Sequence, residues 1–111
     1  MTGRFAGRVA VVTGAGGGIG EAYARGLYAE GARVVIAEVN EESGRRVASQ
    51  LGERALFLAT DVGDPASTDA MAAATVETFG RIDHLVNNAA ISVIWSWQAS
   101  LTWTSTTWTG L

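Results

Sequence analysis

Five of the seven residues from Gly14 to Gly20 are glycine, and the five before them, Val9-Ala10-Val11-Val12-Thr13, form an apolar run. That order reads as a strand, a bare turn and the start of a helix. Glycine brings backbone N–H groups close to a ligand with no side chain in the way and tolerates positive φ, and a helix start adds the positive end of its dipole. The chemistry this suits is the holding of a phosphate or pyrophosphate. Gly14, Gly17, Gly18, Ile19 and Gly20 are its candidate residues. The spacing Gly14, Gly18, Gly20 is G-x-x-x-G-x-G and differs from the general dinucleotide fingerprint G-x-G-x-x-G. Glycine-rich turns also occur between strands and helices where no ligand binds, so the turn alone leaves both readings open.

Further along are residues whose types suit the rest of such a ligand. Glu38 stands 24 residues beyond Gly14 at the end of a second apolar run, where a dinucleotide fold places an acid that accepts hydrogen bonds from ribose hydroxyls. Its charge would also repel a 2′-phosphate, so NAD is favoured over NADP. A solvated glutamate at a strand end is the plainer reading. Asp61-Val62 follows a third apolar run, and Asn87-Asn88-Ala89-Ala90 a fourth. Adjacent asparagines at a strand end can bond neighbouring loops. His84 is the only histidine, and with no titratable cluster around it in sequence it reads as a strand residue rather than an acid or base.

The segment Thr13-Gly14-Ala15-Gly16-Gly17-Gly18-Ile19-Gly20, with Glu38, Asp61-Val62 and Asn87-Asn88-Ala89-Ala90, resembles the short-chain dehydrogenase/reductase family. The four motifs stand in the family's order between residues 5 and 90. The family's fourth motif ends in glycine where this chain has Ala90. The resemblance implies hydride transfer between a nicotinamide and an alcohol or carbonyl carbon, with the cofactor carrying the hydride and the protein the proton relay. It also implies that Asp61 meets the adenine amino group, that the Val62 backbone helps hold the ring, and that Asn88, Ala89 and Ala90 line the cofactor cleft. The family's relay is a Ser, a Tyr and a Lys, the last two spaced Tyr-x-x-x-Lys. No residue here matches it, since there is no lysine and the only tyrosines are Tyr23 and Tyr28, so no catalytic residue is assigned.

These residues need a scaffold, and the pattern supplies one. A helix is expected from about Gly18 to Glu30 with Gly31 closing it, and a strand at 33–38 without polar alternation, as in a parallel sheet covered on both faces. Asn40 is a helix N-cap ahead of Glu41 and Glu42, with Gly52 as the stop; 54–60 is a third strand. Asp64-Pro65 starts a third helix running from Ala66 to Phe79 and ended by Gly80, and 82–86 is a fourth strand. Alternating strands and helices argue for right-handed βαβ units. The expected fold is α/β, a partial Rossmann-like doubly wound parallel sheet of strand order 3-2-1-4 with helices on both faces. Residues 1–90 form the dinucleotide-binding domain, and strand four is an exposed edge.

At 111 residues there is room for one small domain, and 48% hydrophobic content allows a modest core. A formal charge of −3 leaves no basic surface for nucleic acid. Without cysteine there is no disulfide framework or thiolate metal site, and no metal ligand set is assigned. No apolar run has the length of a signal peptide or a membrane span, so a soluble cytoplasmic protein without membrane contact is expected.

Residues 91–111 are of another kind. All four tryptophans, Trp95, Trp97, Trp103 and Trp108, lie there among Thr and Ser, and no charge follows Asp83. A partner-binding apolar patch is one reading, although the tryptophans fit neither one helical face nor one strand face. The genetic code offers another. Tryptophan has the single codon TGG, so beginning each codon at its third base turns every Trp-Thr pair into Asp. The rest of the tail then reads as a polar and apolar mixture like the family's next loop and helix. A frameshift near Ile91 to Val93 is therefore hypothesised; the coding DNA decides it, and a confirmed in-frame tail with no Tyr-x-x-x-Lys in the other frame would defeat it. The expected partner is a nicotinamide dinucleotide, with association through the strand edge and apolar tail. A non-catalytic dinucleotide-binding or protein-interaction module is the alternative. Another Rossmann-like enzyme such as a methyltransferase is disfavoured by Glu38, Asp61 and Asn87-Asn88 together.

Overall fold

A computed structural model describes residues 3–88. The elements alternate as β1 (Val9–Thr13), α1 (Gly18–Ala29), β2 (Arg33–Glu38), α2 (Glu41–Leu51), β3 (Ala55–Ala59), α3 (Pro65–Phe79) and β4 (His84–Val86). All pairings are parallel and the strand order is β3-β2-β1-β4, as the sequence predicts.

Side-chain alternation explains why the sheet must be covered twice. Val11, Val35, Ala37 and Leu85 point to one face, where they pack with Met71 and Ala72 of α3. Val12, Val34 and Ile36 point to the other, with Ala24 of α1 and Val47 of α2. Each fully buried valine or isoleucine contributes about 1.5–3 kcal/mol relative to an exposed one. An exposed sheet face would forfeit several such terms at once. The apolar runs without alternation in β1 and β2 follow from this double burial.

The helix ends differ in how they satisfy their backbone. The Asn40 side chain accepts from the Ser43 N–H at 3.0 Å and starts α2; the Asp64 carboxylate accepts from the Ala66 N–H at 3.0 Å and starts α3, with Pro65 at its first position. Gly80 ends α3 in the left-handed conformation at φ 86°. The start of α1 has no side-chain cap; its N-cap is Gly17.

The fourth strand is shorter than the sequence suggests. Ile82 and Asp83 precede it, because Asp83 joins β1 partly through its side chain: the Asp83 N–H donates to the Val9 carbonyl, and Oδ2 accepts from the Val9 N–H, both at 2.9 Å. Ile82 is nevertheless buried in the core on the α3 side. The His84 ring meets Phe5 edge-on at 5.4 Å between centroids, so it packs in the strand as expected.

Register fixes where function can sit. Thr13 lies beside Ala37, Glu38 beside Ala59 and Val12 beside Val86. The carboxyl ends of all four strands are therefore level, and the loops that follow them share one edge. The chain leaves β1 toward β2 and later returns on β1's other side as β4. The crossover that follows β1 thus runs to one side of it while β4 lies on the other, and a crevice opens beyond the end of β1 at this topological switch point.

Candidate dinucleotide-binding site

The crevice gathers residues from all four strand ends. A cavity of about 230 Å³ is lined by Thr13 and Gly14 after β1, Ala37, Glu38 and Val39 at the end of β2, Thr60, Asp61 and Val62 after β3, and Asn88 after β4. Gly14, Glu38, Asp61, Val62 and Asn88, drawn from four separate sequence motifs, are thus brought together.

The glycines divide into three roles. Gly14 turns the chain out of β1 at φ 62°, and Asn88 crowds the position a side chain would take. Gly17 and Gly18 are exposed, with open space around any added Cβ, and Gly18 has φ 57°. Together with Ile19 they form the uncapped first turn of α1, so backbone donors there are left for solvent or a ligand. Gly20 is buried, and a Cβ on it would run into the Gly14 carbonyl. It makes room for the turn rather than a surface for a ligand. Ile19 is 67% exposed and also lines an apolar groove along α1 with Phe5, Tyr23 and Leu27.

Glu38 is half-buried and already engaged. Oε1 accepts from the Gly16 N–H at 2.9 Å and Oε2 from the Asn40 N–H at 3.0 Å. Each carboxylate oxygen has a further lone-pair direction, so these bonds orient the group without exhausting it. Asp61 caps its own turn, accepting from the Gly63 N–H at 3.0 Å, and its backbone N–H donates to Ser67 Oγ at 2.9 Å. Ala89 and Ala90 lie outside the described residues, as does the tail at 91–111.

Sequence reasoning missed four contributors. Thr13 is fully buried; its hydroxyl donates to Asn87 Oδ1 at 3.3 Å and accepts from the Asn88 N–H at 2.8 Å, locking β4's exit to β1. Val39, 68% exposed, faces the cavity from beyond Glu38. Ser43 packs against Gly16 so closely that any Cβ there would collide with its Oγ. Arg46 donates to the Gly16 carbonyl at 3.1 Å and reaches Glu21 at 3.4 Å. Only Thr13, at the strand end in the glycine motif, carried a local signal. The Arg25 guanidinium bonded to Glu21 holds that carboxyl below its ordinary value, with Arg46 adding to the effect against some desolvation.

Among the described residues no group of three His, Asp or Glu side chains could hold a metal ion, and no helix is long and apolar enough to cross a membrane. Neither tyrosine stands in the crevice: Tyr23 is on the outer face of α1, and Tyr28 lies under the Arg54 guanidinium, 3.8 Å from the ring centroid.

The family model for short chain dehydrogenases matches residues 8–108, past β4 and into the tail. A short chain dehydrogenase/reductase of Aspergillus oryzae is 52% identical over 89 residues, which is 77% of this chain and 34% of that protein. A sorbitol dehydrogenase of Cereibacter sphaeroides is 46% identical over 88 residues, 79% of this chain and 34% of that one. Among solved structures, the 3-ketoacyl-(acyl-carrier-protein) reductase of Brucella melitensis complexed with NADH superposes with a TM-score of 0.84 at 31% identity, covering 87% of this chain and 50% of that one. The chain spans about a third of the length of the curated relatives it matches. On the family match, the sequence relatives and the shared parallel sheet, the chain belongs to the short chain dehydrogenase family.

Proposed function

We propose that this chain is the NAD(H)-binding part of an oxidoreductase that moves a hydride between a nicotinamide and an alcohol or carbonyl carbon. The observation that carries the reading is the convergence of Gly14, Glu38, Asp61, Val62 and Asn88 on one crevice at the switch point of the sheet. The similarity to a reductase solved with NADH supports it.

The residues fit the ligand in kind. The uncapped N–H groups of Gly17, Gly18 and Ile19 would face the pyrophosphate, which the α1 dipole also favours. Gly14 and Gly20 keep the turn low enough for it to approach. The Glu38 carboxylate, held by the Gly16 and Asn40 amides, would accept from the ribose hydroxyls. Asp61 would accept from the adenine amino group, with Val62 and the exposed Val39 against the ring and Asn88 on the other wall. When bound, the nicotinamide would supply or accept the hydride.

Calorimetry with NAD⁺ and NADP⁺ tests this. NAD⁺ should bind at least about tenfold more tightly, because two like charges some 4 Å apart repel by about 1–4 kcal/mol between bulk water and a protein surface. Absence of saturable binding by either nucleotide would defeat the reading, and a preference for NADP⁺ would overturn the role given to Glu38.

One observation favours binding without turnover by these 111 residues. They include no lysine, and Tyr23 and Tyr28 both stand away from the crevice. No oxidation of secondary alcohols is expected; a rate abolished by Gly18→Asp would show that a proton relay had been overlooked.

A further inference from the structure

Gly16 has no side chain to hold it, yet both of its peptide groups are held. Its N–H donates to Glu38 Oε1 at 2.9 Å, and its carbonyl accepts from the Arg46 guanidinium at 3.1 Å. The arginine is itself steadied: Glu21 Oε1 lies 3.4 Å from Nη2, and the other Glu21 oxygen is bonded by Arg25 at 2.8 Å. A chain of charged groups from α1 and α2 therefore ends on one carbonyl at the tip of the glycine turn.

That carbonyl matters because of what shares its peptide plane. The Gly16 C=O and the Gly17 N–H belong to one planar trans unit, in which the two bonds point in opposite directions. Drawing the carbonyl toward α2 turns the Gly17 N–H away from α2. Gly17 is exposed and has nothing within 4 Å of a built Cβ, so no neighbouring side chain sets its orientation.

We propose that Arg46 is a positioning residue for the phosphate turn: by gripping the Gly16 carbonyl it aims the Gly17 N–H, and Glu38, gripping the other side of Gly16, couples the ribose end of the crevice to the pyrophosphate end. The ligand side of this inference rests on the dinucleotide reading above; the clamp itself does not. Glu21 and Arg25 contribute by fixing the arginine. A Cβ on Gly16 would collide with Ser43 Oγ and lie 2.8 Å from Glu38 Oε1, so a side chain at this position would disturb the grip.

The test uses the full chain and two substitutions, Arg46→Met and Arg46→Lys, with two measurements. Without ligand, amide exchange at Gly16, whose N–H is bonded to Glu38, should quicken by about fivefold or more in Arg46→Met, while Val11 and Val12 in β1 stay as they are, because the charge-assisted hydrogen bond that holds the turn has been removed. Unchanged exchange would overturn the clamp. With ligand, affinity for ADP-ribose should fall about tenfold in Arg46→Met, and affinity for adenosine, which has no pyrophosphate, by less than about twofold. Arg46→Lys, which keeps a donor and the charge, should recover part of the loss. Equal losses for both ligands would show a general structural role and overturn the proposal. Failure of the unsubstituted chain to bind ADP-ribose would sink the dinucleotide reading and with it the aiming of Gly17 at a phosphate, whereas the exchange result decides the clamp on its own.

Discussion

The seam between β1 and β4 is closed at both ends by a side chain that accepts a backbone N–H, and the two ends use opposite chemistry. At the amino end the acceptor is a carboxylate: Asp83, 4% exposed, takes the Val9 N–H at 2.9 Å and is paired with Arg81, with Arg8 at 3.8 Å. At the carboxyl end it is a neutral hydroxyl, Thr13 Oγ1, which takes the Asn88 N–H at 2.8 Å. The amino end is packed shut and spends charge on stability. The carboxyl end opens into the crevice and closes its seam without charge. A carboxylate in place of Thr13 would stand beside Gly14, where the proposed pyrophosphate must approach. The crevice's own carboxylates, Glu38 and Asp61, come from β2 and β3, on the side assigned to ribose and adenine.

This contrast is open to experiment, and the largest effect is expected at the closed end. Asp83→Ala should cost about 3 kcal/mol of stability in urea denaturation, since it strands the buried Val9 N–H and removes the partner of Arg81. NAD⁺ affinity should change by less than about twofold, because the crevice is at the other end of the strand. A large loss of binding with intact folding would mean that the two ends are not independent.

The same carboxylate sets a pH dependence. Burial alone would raise the Asp83 carboxyl, but the Val9 N–H and the Arg81 and Arg8 guanidinium groups outweigh it and hold the group below its ordinary value of 3.8. A depressed carboxyl contributes its stability in full above that unfolded-state value and loses it as pH falls through 3.8 toward the folded-state value. Denaturation midpoints should therefore drop in that acid range, and Asp83→Asn should flatten the drop. A variant with the full acid slope would assign the titration to another group.

The open end should answer differently. Thr13→Val keeps the shape, loses the hydroxyl and leaves the Asn88 N–H without its acceptor, so stability should fall by about 1 kcal/mol. NAD⁺ affinity should fall by more than it does in Asp83→Ala, on the order of fivefold, because Asn88 is a crevice wall. If Thr13→Val lost stability alone, the hydroxyl would be a seam closure and nothing more.

The parts legible in the sequence are those encoded by neighbouring residues. Strand runs, the Asn40 and Asp64-Pro65 helix starts and the glycine stops are local, and they led to the right order of elements and of strands. The crevice was legible because its members sit at strand ends, and parallel strands in register bring such ends together. What could not be read depends on partners brought close only by the crossovers. Arg46 is one of two adjacent arginines on α2, and nothing local separates it from Arg45, which pairs with Glu41 on the surface. Asp83 reads as part of a strand until the backbone of Val9 arrives 74 residues away in sequence to use its carboxylate. Val39 is an exposed apolar residue whose place over the cavity depends on the loops after β3 and β4.

The bond between Asn88 and Thr13 spans 75 residues. Closing so long a loop must be offset before the contact gives anything back, whereas β1, α1 and β2 can assemble over short separations. During synthesis, which proceeds from the amino terminus, the glycine turn, Glu38 and Asp61 all emerge before the strand that walls them in. The crevice is thus completed at the end of this region's assembly, and a ligand that needs the Asn88 wall can bind only after that point.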